Sequence, residues 1–311
     1  MKVVVLGAGA VGCYVGGLLS LAGLEVVFAV RPAARDAIAS RGVRLRGPRG
    51  EFHAPGVGAI VRPQEAIGVD LVLSCVKLYD ARASAEAWRP MLEAAEGVVC
   101  LQNGVDGVAR VRAGAPAARC WGGLAMVAGQ LRETGVVDYV SDMSSIVFGG
   151  PGARADPLLA AFVAQVRGAS LPTPFELRRV EDIARPQWTK FLALATNAAL
   201  TCLTRSPAGV VYRDPALLAL ARRSIGEVLA VARAEGVPLE DADADAALAL
   251  LRGLPPGMVA SMHHDLVAGR RLELDGLSGT VARLGRAHGI PTPFHDFAWA
   301  CLRPHADGHR S

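Results

Sequence analysis

Two features of the 311-residue sequence combine residue type and spacing in a way that could do chemistry. The first is a glycine turn, Gly7-Ala8-Gly9-Ala10-Val11-Gly12, between an apolar run (Lys2-Val3-Val4-Val5-Leu6) and a helical stretch from Cys13 to Leu21. In a G-x-G-x-x-G turn the first glycine permits the tight bend and the second lets backbone N–H groups approach a pyrophosphate. The third lets the helix lie close to the strand. The helix start then offers unpaired N–H groups and partial positive charge to the phosphates. Strand, turn, helix and second strand (Glu25 to Val30) follow in the order of a dinucleotide site. That second strand ends in Arg31, with Arg35 one helical turn on, where NAD and FAD sites place Asp or Glu for the ribose. A guanidinium there suits a 2′-phosphate, so NADP(H) is the expected cofactor, the alternative being a solvated surface arginine.

The second feature is Lys190 within the apolar run Gln187 to Thr201. At 100° per residue Lys190, Leu194, Asn197 and Thr201 share one helical face. An unpaired ammonium inside an apolar helix is unfavourable. Lys190 is therefore either a snorkelling side chain at a helix start or a general acid that polarises a ketone oxygen and supplies its proton. Two further candidates sit where strands end: Lys77 just past Cys75, able to reach phosphate, and Asn103 just past Leu101. Asn103-Gly104 is an ordinary turn pair, or an amide placed to bond a nicotinamide ribose or a substrate carbonyl. Glu273, among basic neighbours, is a surface ion pair or a carboxylate near the cofactor. His263-His264-Asp265 invites a metal, but adjacent helical residues point about 100° apart, so no metal site is expected.

The elements that must position these groups fall into two sets. Short continuous apolar runs (Leu71 to Cys75, Gly97 to Leu101) alternate with helical stretches (Ala33 to Ser40, Ala81 to Leu92), which argues a parallel, doubly wound sheet. From Cys120 to Phe148 the texture changes to strands and turns, with Val136–Val140 and Ser145–Phe148 as separate strands. A helix is expected from Asp156 to Gly168 and an edge strand over Thr173–Leu177. Beyond about Val180 helices fill the chain: Pro186–Leu203, Pro215–Glu235, Ala242–Arg252, Met258–Ala268, Gly276–His288 and Phe294–Leu302. The expected fold is α/β: an N-terminal Rossmann doubly wound parallel sheet over residues 1–170, binding NADP, and a second, all-helical C-terminal domain over 171–311 carrying substrate and catalytic groups.

Composition narrows the function classes. A net charge of +4 with no basic run or aromatic-interleaved patch argues against nucleic acid as a partner. The uncharged stretch from Val3 to Leu24 is rich in glycine and lacks a cleavage site, so neither a signal peptide nor a membrane span is expected. The six cysteines are scattered without a C-x-x-C pair, as in reduced thiols of a cytoplasmic protein. The oligomeric state is left open, with a homodimer as one option.

Taken in order, the glycine turn with Arg31, Lys77, Gln102-Asn103-Gly104, Trp188-x-Lys190, Ser261-Met262 and Arg271-Leu272-Glu273-Leu274-Asp275 resemble the ketopantoate reductase (2-dehydropantoate 2-reductase) family across nearly the whole chain. The resemblance implies NADPH as hydride donor and a small-molecule 2-keto acid as acceptor, within pantothenate and coenzyme A biosynthesis. By position it makes Lys190 the catalytic lysine, Asn103 a contact to both cofactor and substrate, Ser261 a substrate serine, and Glu273 the glutamate near the nicotinamide ribose. The residues Gly7 to Gly12 match the pyrophosphate loop. The family carries asparagines four and eight residues after the lysine. Here Leu194 and Ala198 stand there, with Asn197 one position off and taken as the substrate contact, and Met258 replaces an asparagine three residues before Ser261. Loss of such hydrogen bonds changes what polar ligand a site can recognise. A less polar keto acid, or a non-catalytic NADP-binding sensor, therefore stand as alternatives to 2-dehydropantoate reduction.

Overall fold

A helix that is apolar all round must be covered on every side, and the first helix, α1 (Ala10–Leu21), has no charged residue. In the computed structural model, which describes residues 1–308 apart from the side chains of 141–143, the sheet curls around it. The strands are β1 (Lys2–Leu6), β2 (Glu25–Ala29), β3 (Val43–Gly47), β4 (Gly50–Ala54), β5 (Gly58–Ile60), β6 (Leu71–Ser74), β7 (Gly97–Cys100), β8 (Cys120–Glu133), β9 (Val136–Gly149) and β10 (Glu176–Val180). They form one sheet in the order β4-β3-β9-β8-β7-β6-β1-β2-β5, with β10 also pairing β9. The centre, from β5 through β8, is parallel. The pairs β3–β4 and β8–β9 are antiparallel.

Alternation along the central strands explains their continuous apolar runs. Val3 and Val5 of β1 face the cluster that holds Tyr14, Leu18 and Leu19 of α1. Val4 and Leu6 face the opposite cluster, with Leu78, Ala85, Leu92 and Val111. The helices on that face are α3 (Ala81–Ala87), α4 (Arg89–Ala94) and α5 (Gly107–Gly114), while α2 (Pro32–Arg41) follows β2 and α6 (Pro157–Arg167) follows β9. Both faces of the central sheet are thus buried, as parallel sheets require. The α6 helix starts at Asp156, whose carboxylate accepts the Leu159 N–H at 3.0 Å.

The helix expected over Ala81–Leu92 is two helices, α3 and α4, and the edge strand expected over Thr173–Leu177 is β10 at Glu176–Val180. Residues 136–149 form one strand, not two, because β3 pairs the first half of β9 and β10 pairs the second half. Through β10 the stretch up to Ile183 stays with the sheet. Of the two compact units, the first is Met1–Asn103 with Gly107–Ile183, and the second is Gly104–Asp106 with the chain from Ala184 onward.

The second unit is helical: α7 (Ala184–Thr204), α8 (Ala208–Val211), α9 (Pro215–Ala234), α10 (Asp241–Arg252), α11 (Ser261–Val267), α12 (Ser278–His288) and α13 (Pro293–Leu302). The short α8 has no counterpart among the expected helices. Phe191, Leu192, Ala195 and Ala199 of α7 lie in one core with Ile225, Val228, Leu248, Leu251 and Val281. Inside it His295 is fully buried, its ring 3.1 Å from Ser224 Oγ and 3.2 Å from Ser278 Oγ. Burial pushes its pKa down to about 4, so it is a neutral core group. Among the described residues no helix is long and apolar enough to cross a membrane. Cys13, Cys100, Cys120 and Cys202 are buried, Cys75 is half-buried, and Cys301 is exposed.

The enclosure of α1 depends on its glycines. A Cβ at Gly16 would overlap the ring of Phe28 on β2, and one at Gly17 would sit 3.1 Å from Val43 Cγ1 on β3. Overpacking of this kind costs about 1–3 kcal/mol, against a gain of about 0.5–1 kcal/mol from alanine in a helix interior. Gly16→Ala is therefore expected to lower the urea midpoint of the first unit. An unchanged or raised midpoint would show that α1 can back away from the sheet.

Candidate functional site

The carboxyl ends of the parallel strands bring four of the expected groups into line. Leu6 is in register with Ala29 on one side and Ser74 on the other, and Ser74 with Cys100. The glycine turn, Arg31, Lys77 and Asn103 therefore leave the ends of adjacent strands β1, β2, β6 and β7, the edge where open sheets hold ligands. Gly7 has φ +104°, and a Cβ there would lie 2.9 Å from the Val76 backbone nitrogen. A Cβ at Gly12 would overlap the Gly7 carbonyl. The turn consequently packs against Cys75 and Val76, immediately before Lys77. Gln102, next to Asn103, donates from Nε2 to Ser74 Oγ at 2.7 Å, tying the ends of β6 and β7 together.

Gly9 is different: nothing lies within 4 Å of the place its Cβ would take. It is the residue preceding α1, which begins Ala10-Val11-Gly12. Open space in front of a helix N-terminus, with backbone N–H groups and no side chain between, fits a pyrophosphate. Arg31 is exposed at the start of α2, where its guanidinium fits a 2′-phosphate. Arg35 instead pairs with Glu65 at 3.3 Å. The donor set thus suits a phosphorylated dinucleotide. Lys77 and Asn103 are both half-buried.

In the second unit Lys190 lies on α7 and Glu273 just ahead of the short 3-10 turn Leu274–Gly276. Glu273 is 5% exposed, a burial its carboxylate tolerates beside a cation. Burial pushes the Lys190 pKa down from 10.5 to about 8, and the charge of Glu273 pulls it back up. Desolvation is the larger effect, so the ammonium is held near the point where it gives up its proton at ordinary pH. The Lys190 residue as a whole is half-buried. Asn197, two turns along the same face, is half-buried and accepts the Tyr212 hydroxyl on Oδ1 at 2.9 Å. Ser261 opens α11 and is exposed. The rings of His263 and His264 stand 6.3 Å apart and nearly perpendicular. Among the described residues no group of three or more His, Cys, Asp or Glu could hold a metal ion.

Two groups beside these positions escaped the sequence reading. Tyr212 reaches Asn197 across the chain reversal at Arg205, the described non-glycine residue with positive φ (51°), and no helical period links the two. Asp106 accepts from Thr280 Oγ1 at 3.1 Å and Arg283 Nη2 at 2.8 Å, which holds the residues after Asn103 to α12. An Asp two residues past an Asn-Gly turn carries no sequence signal of that kind.

With this geometry in view, the comparisons with known proteins agree on one family. The sequence model described as ketopantoate reductase PanE/ApbA matches residues 3–152. Its C-terminal counterpart matches residues 182–306. The 2-dehydropantoate 2-reductase of Caulobacter vibrioides is 32% identical over 97% of this chain and 98% of its own. That of Mycobacterium tuberculosis is 30% identical over 98% of each. Among solved structures, a PanE/ApbA family ketopantoate reductase from Ralstonia eutropha superposes with a TM-score of 0.87 at 32% identity, covering 98% of both chains.

The Lys190–Glu273 relation can be measured directly. Since the carboxylate raises the lysine pKa, Glu273→Gln is expected to drop it further below about 8, read by NMR titration of 13C-dimethylated lysines. A pKa that stays where it was would mean that the charge of Glu273 does not act on Lys190.

Proposed function

The chain belongs to the ketopantoate reductase family, NADP-dependent oxidoreductases acting on CH–OH groups, and from that premise we propose that it reduces a 2-keto acid to the 2-hydroxy acid, with 2-dehydropantoate the leading substrate. The observation that carries this reading is Lys190, a half-buried side chain on a largely apolar helix whose pKa desolvation pushes down to about 8 against the opposing charge of Glu273. An acid whose pKa lies near the working pH both holds its proton beforehand and gives it up readily.

In this reading Gly7 to Gly12 hold the pyrophosphate of NADPH on backbone N–H groups, Arg31 takes the 2′-phosphate, and Lys77 supports the phosphates. Asn103 is assigned to the nicotinamide ribose and the substrate, Glu273 to the cofactor, and Ser261 and Asn197 to the substrate. The bound cofactor supplies the hydride. Lys190 Nζ donates a hydrogen bond to the ketone oxygen, stabilises the negative charge that develops there, and delivers the proton. Glu273 keeps Lys190 protonated against the pull of desolvation, and the apolar surroundings of α7 exclude water from the proton's path.

A second reading, reduction of a less polar keto acid, draws support from Leu194, Ala198 and Met258. Ala198 is buried, while Leu194 and Met258 are half-buried apolar side chains. A screen of keto acids that includes 2-dehydropantoate, followed by NADPH absorbance, separates the two. Tight NADPH binding with no turnover on any keto acid would refute both in favour of a sensor.

Lys190→Ala is expected to lower kcat by at least about a hundredfold, the scale of general acid catalysis, with NADPH affinity nearly intact. The sign of the pH dependence follows from the same group. The reactive form is protonated, so reduction is full below about 8 and falls roughly tenfold per pH unit above it. Unchanged turnover in the variant, or a pH profile flat through this range, would remove Lys190 from its role. Arg31→Ala is expected to raise KM for NADPH at least about tenfold, the scale of a lost charge-assisted pair, and KM for NADH much less. Equal effects on the two cofactors would overturn the 2′-phosphate assignment.

A further inference from the structure

The face of α7 that carries Lys190 continues through Leu194 to Asn197, and the structure fixes how Asn197 is presented. Tyr212 is 4% exposed and donates its hydroxyl to Asn197 Oδ1 at 2.9 Å. Tyr212 takes one of the two lone pairs of the carbonyl oxygen and fixes the plane of the amide, whose NH2 is the donor it presents to a ligand. Tyr212 is itself held firmly. Its N–H donates to Ala208 O at 2.9 Å, closing α8, and α8 is bolted to the 255–258 loop by Ala208 N to Met258 O at 2.8 Å and Gly209 N to Pro256 O at 2.9 Å. A Cβ at Gly209 would lie 2.8 Å from Pro256 Cβ, so this contact leaves no slack. Burial pushes the Tyr212 pKa up, and the phenol stays a donor through the whole working range.

Helix geometry then sets a length. Seven residues at 1.5 Å place Asn197 about 10 Å along the axis from Lys190, with the lysine side chain leaning away toward the helix start. A hydrogen bond of about 3 Å at each end leaves roughly four or five covalent bonds between a ketone oxygen at Lys190 and an acceptor at Asn197. Leu194 lies between the two, so the span passes an apolar side chain.

We propose that Tyr212 is a positioning residue for substrate choice: it turns the Asn197 amide so that the site favours 2-keto acids with an apolar middle and a hydrogen-bond acceptor four or five bonds beyond the ketone oxygen. The proposal rests on the reading of Lys190 as the group that meets the ketone. The 4-hydroxyl of 2-dehydropantoate falls at the near end of this reach. An alkyl keto acid of equal length with no acceptor leaves the buried side of the amide satisfied but its NH2 desolvated and unpaired, which weakens binding.

The test uses two keto acids that differ by one atom, 5-methoxy-2-oxopentanoate and 2-oxoheptanoate, an ether oxygen replacing a methylene. The wild-type protein with NADPH is expected to favour the ether by about tenfold in kcat/KM, the worth of one hydrogen bond, with the difference in KM. Tyr212→Phe keeps the buried ring and is expected to bring the ratio of the two kcat/KM values toward one. Asn197→Ala should do the same, and the double variant should go no further than either single one. Thermal unfolding of each variant checks the fold, and Asn197→Ala carries the test if Tyr212→Phe does not fold. Equal use of both substrates by the wild type overturns the proposal while leaving keto acid reduction standing. So does an equal fall for both substrates in Tyr212→Phe, the result a purely structural tyrosine would give. Failure to reduce any 2-keto acid removes the functional reading, and this proposal with it.

Discussion

The first unit depends on the distance between one helix and the sheet around it. With Gly16 and Gly17 on α1, the strands β2 and β3 close in to separations that a Cβ would crowd, and at Gly12 the Gly7 carbonyl takes the place of one. That approach buries an uncharged helix on all sides, which is why the sheet curls instead of lying open. The same close packing presses the Gly7 turn onto Val76 and leaves Gly9 facing open space. Packing in the core and room for phosphates at the helix start are thus two results of one absence of side chains.

Legibility in the sequence followed the range of the interactions. The glycine turn, the central strands and most helices are local patterns, and they could be read: apolar runs buried on both faces look alike wherever they occur. The extent of β9 could not, because its two halves are paired by β3 and β10, strands that come from either side of it in the chain. Among the candidate site residues, Lys190 announces itself as the one charge in the apolar run Gln187–Thr201. Its relation to Glu273 is invisible, since the two lie on separate elements with no period between them. Tyr212 fails in the same way: nothing in the run Val210-Val211-Tyr212 marks a side chain that crosses a chain reversal to reach an amide.

The second unit carries buried polar groups of two physical kinds. His295, with Ser224 and Ser278, and Thr196 bonded to Ser224 at 2.8 Å, forms a network whose members satisfy one another inside the core. Desolvation there drives the imidazole to its neutral form, and no reactive group is exposed. Such a network specifies how α7, α9, α12 and α13 pack. Lys190 differs because the desolvation acting on it is opposed by a charge, that of Glu273.

That difference explains why Lys190 suits proton transfer and His295 does not. If the carboxylate dominated, the lysine would keep its ordinary basicity and hold its proton too tightly to release it near neutrality. If desolvation acted alone, the amine would hold its proton more weakly still. The two causes act in opposite directions, with burial the larger, and their balance leaves an ammonium that is charged at neutral pH yet weakly held. The half-buried cation is tolerated on this helix because the charge of the buried Glu273 carboxylate acts on it. The stability lost in bringing both out of water reappears as an acid of useful strength, which is what a group assigned to protonate a ketone oxygen requires.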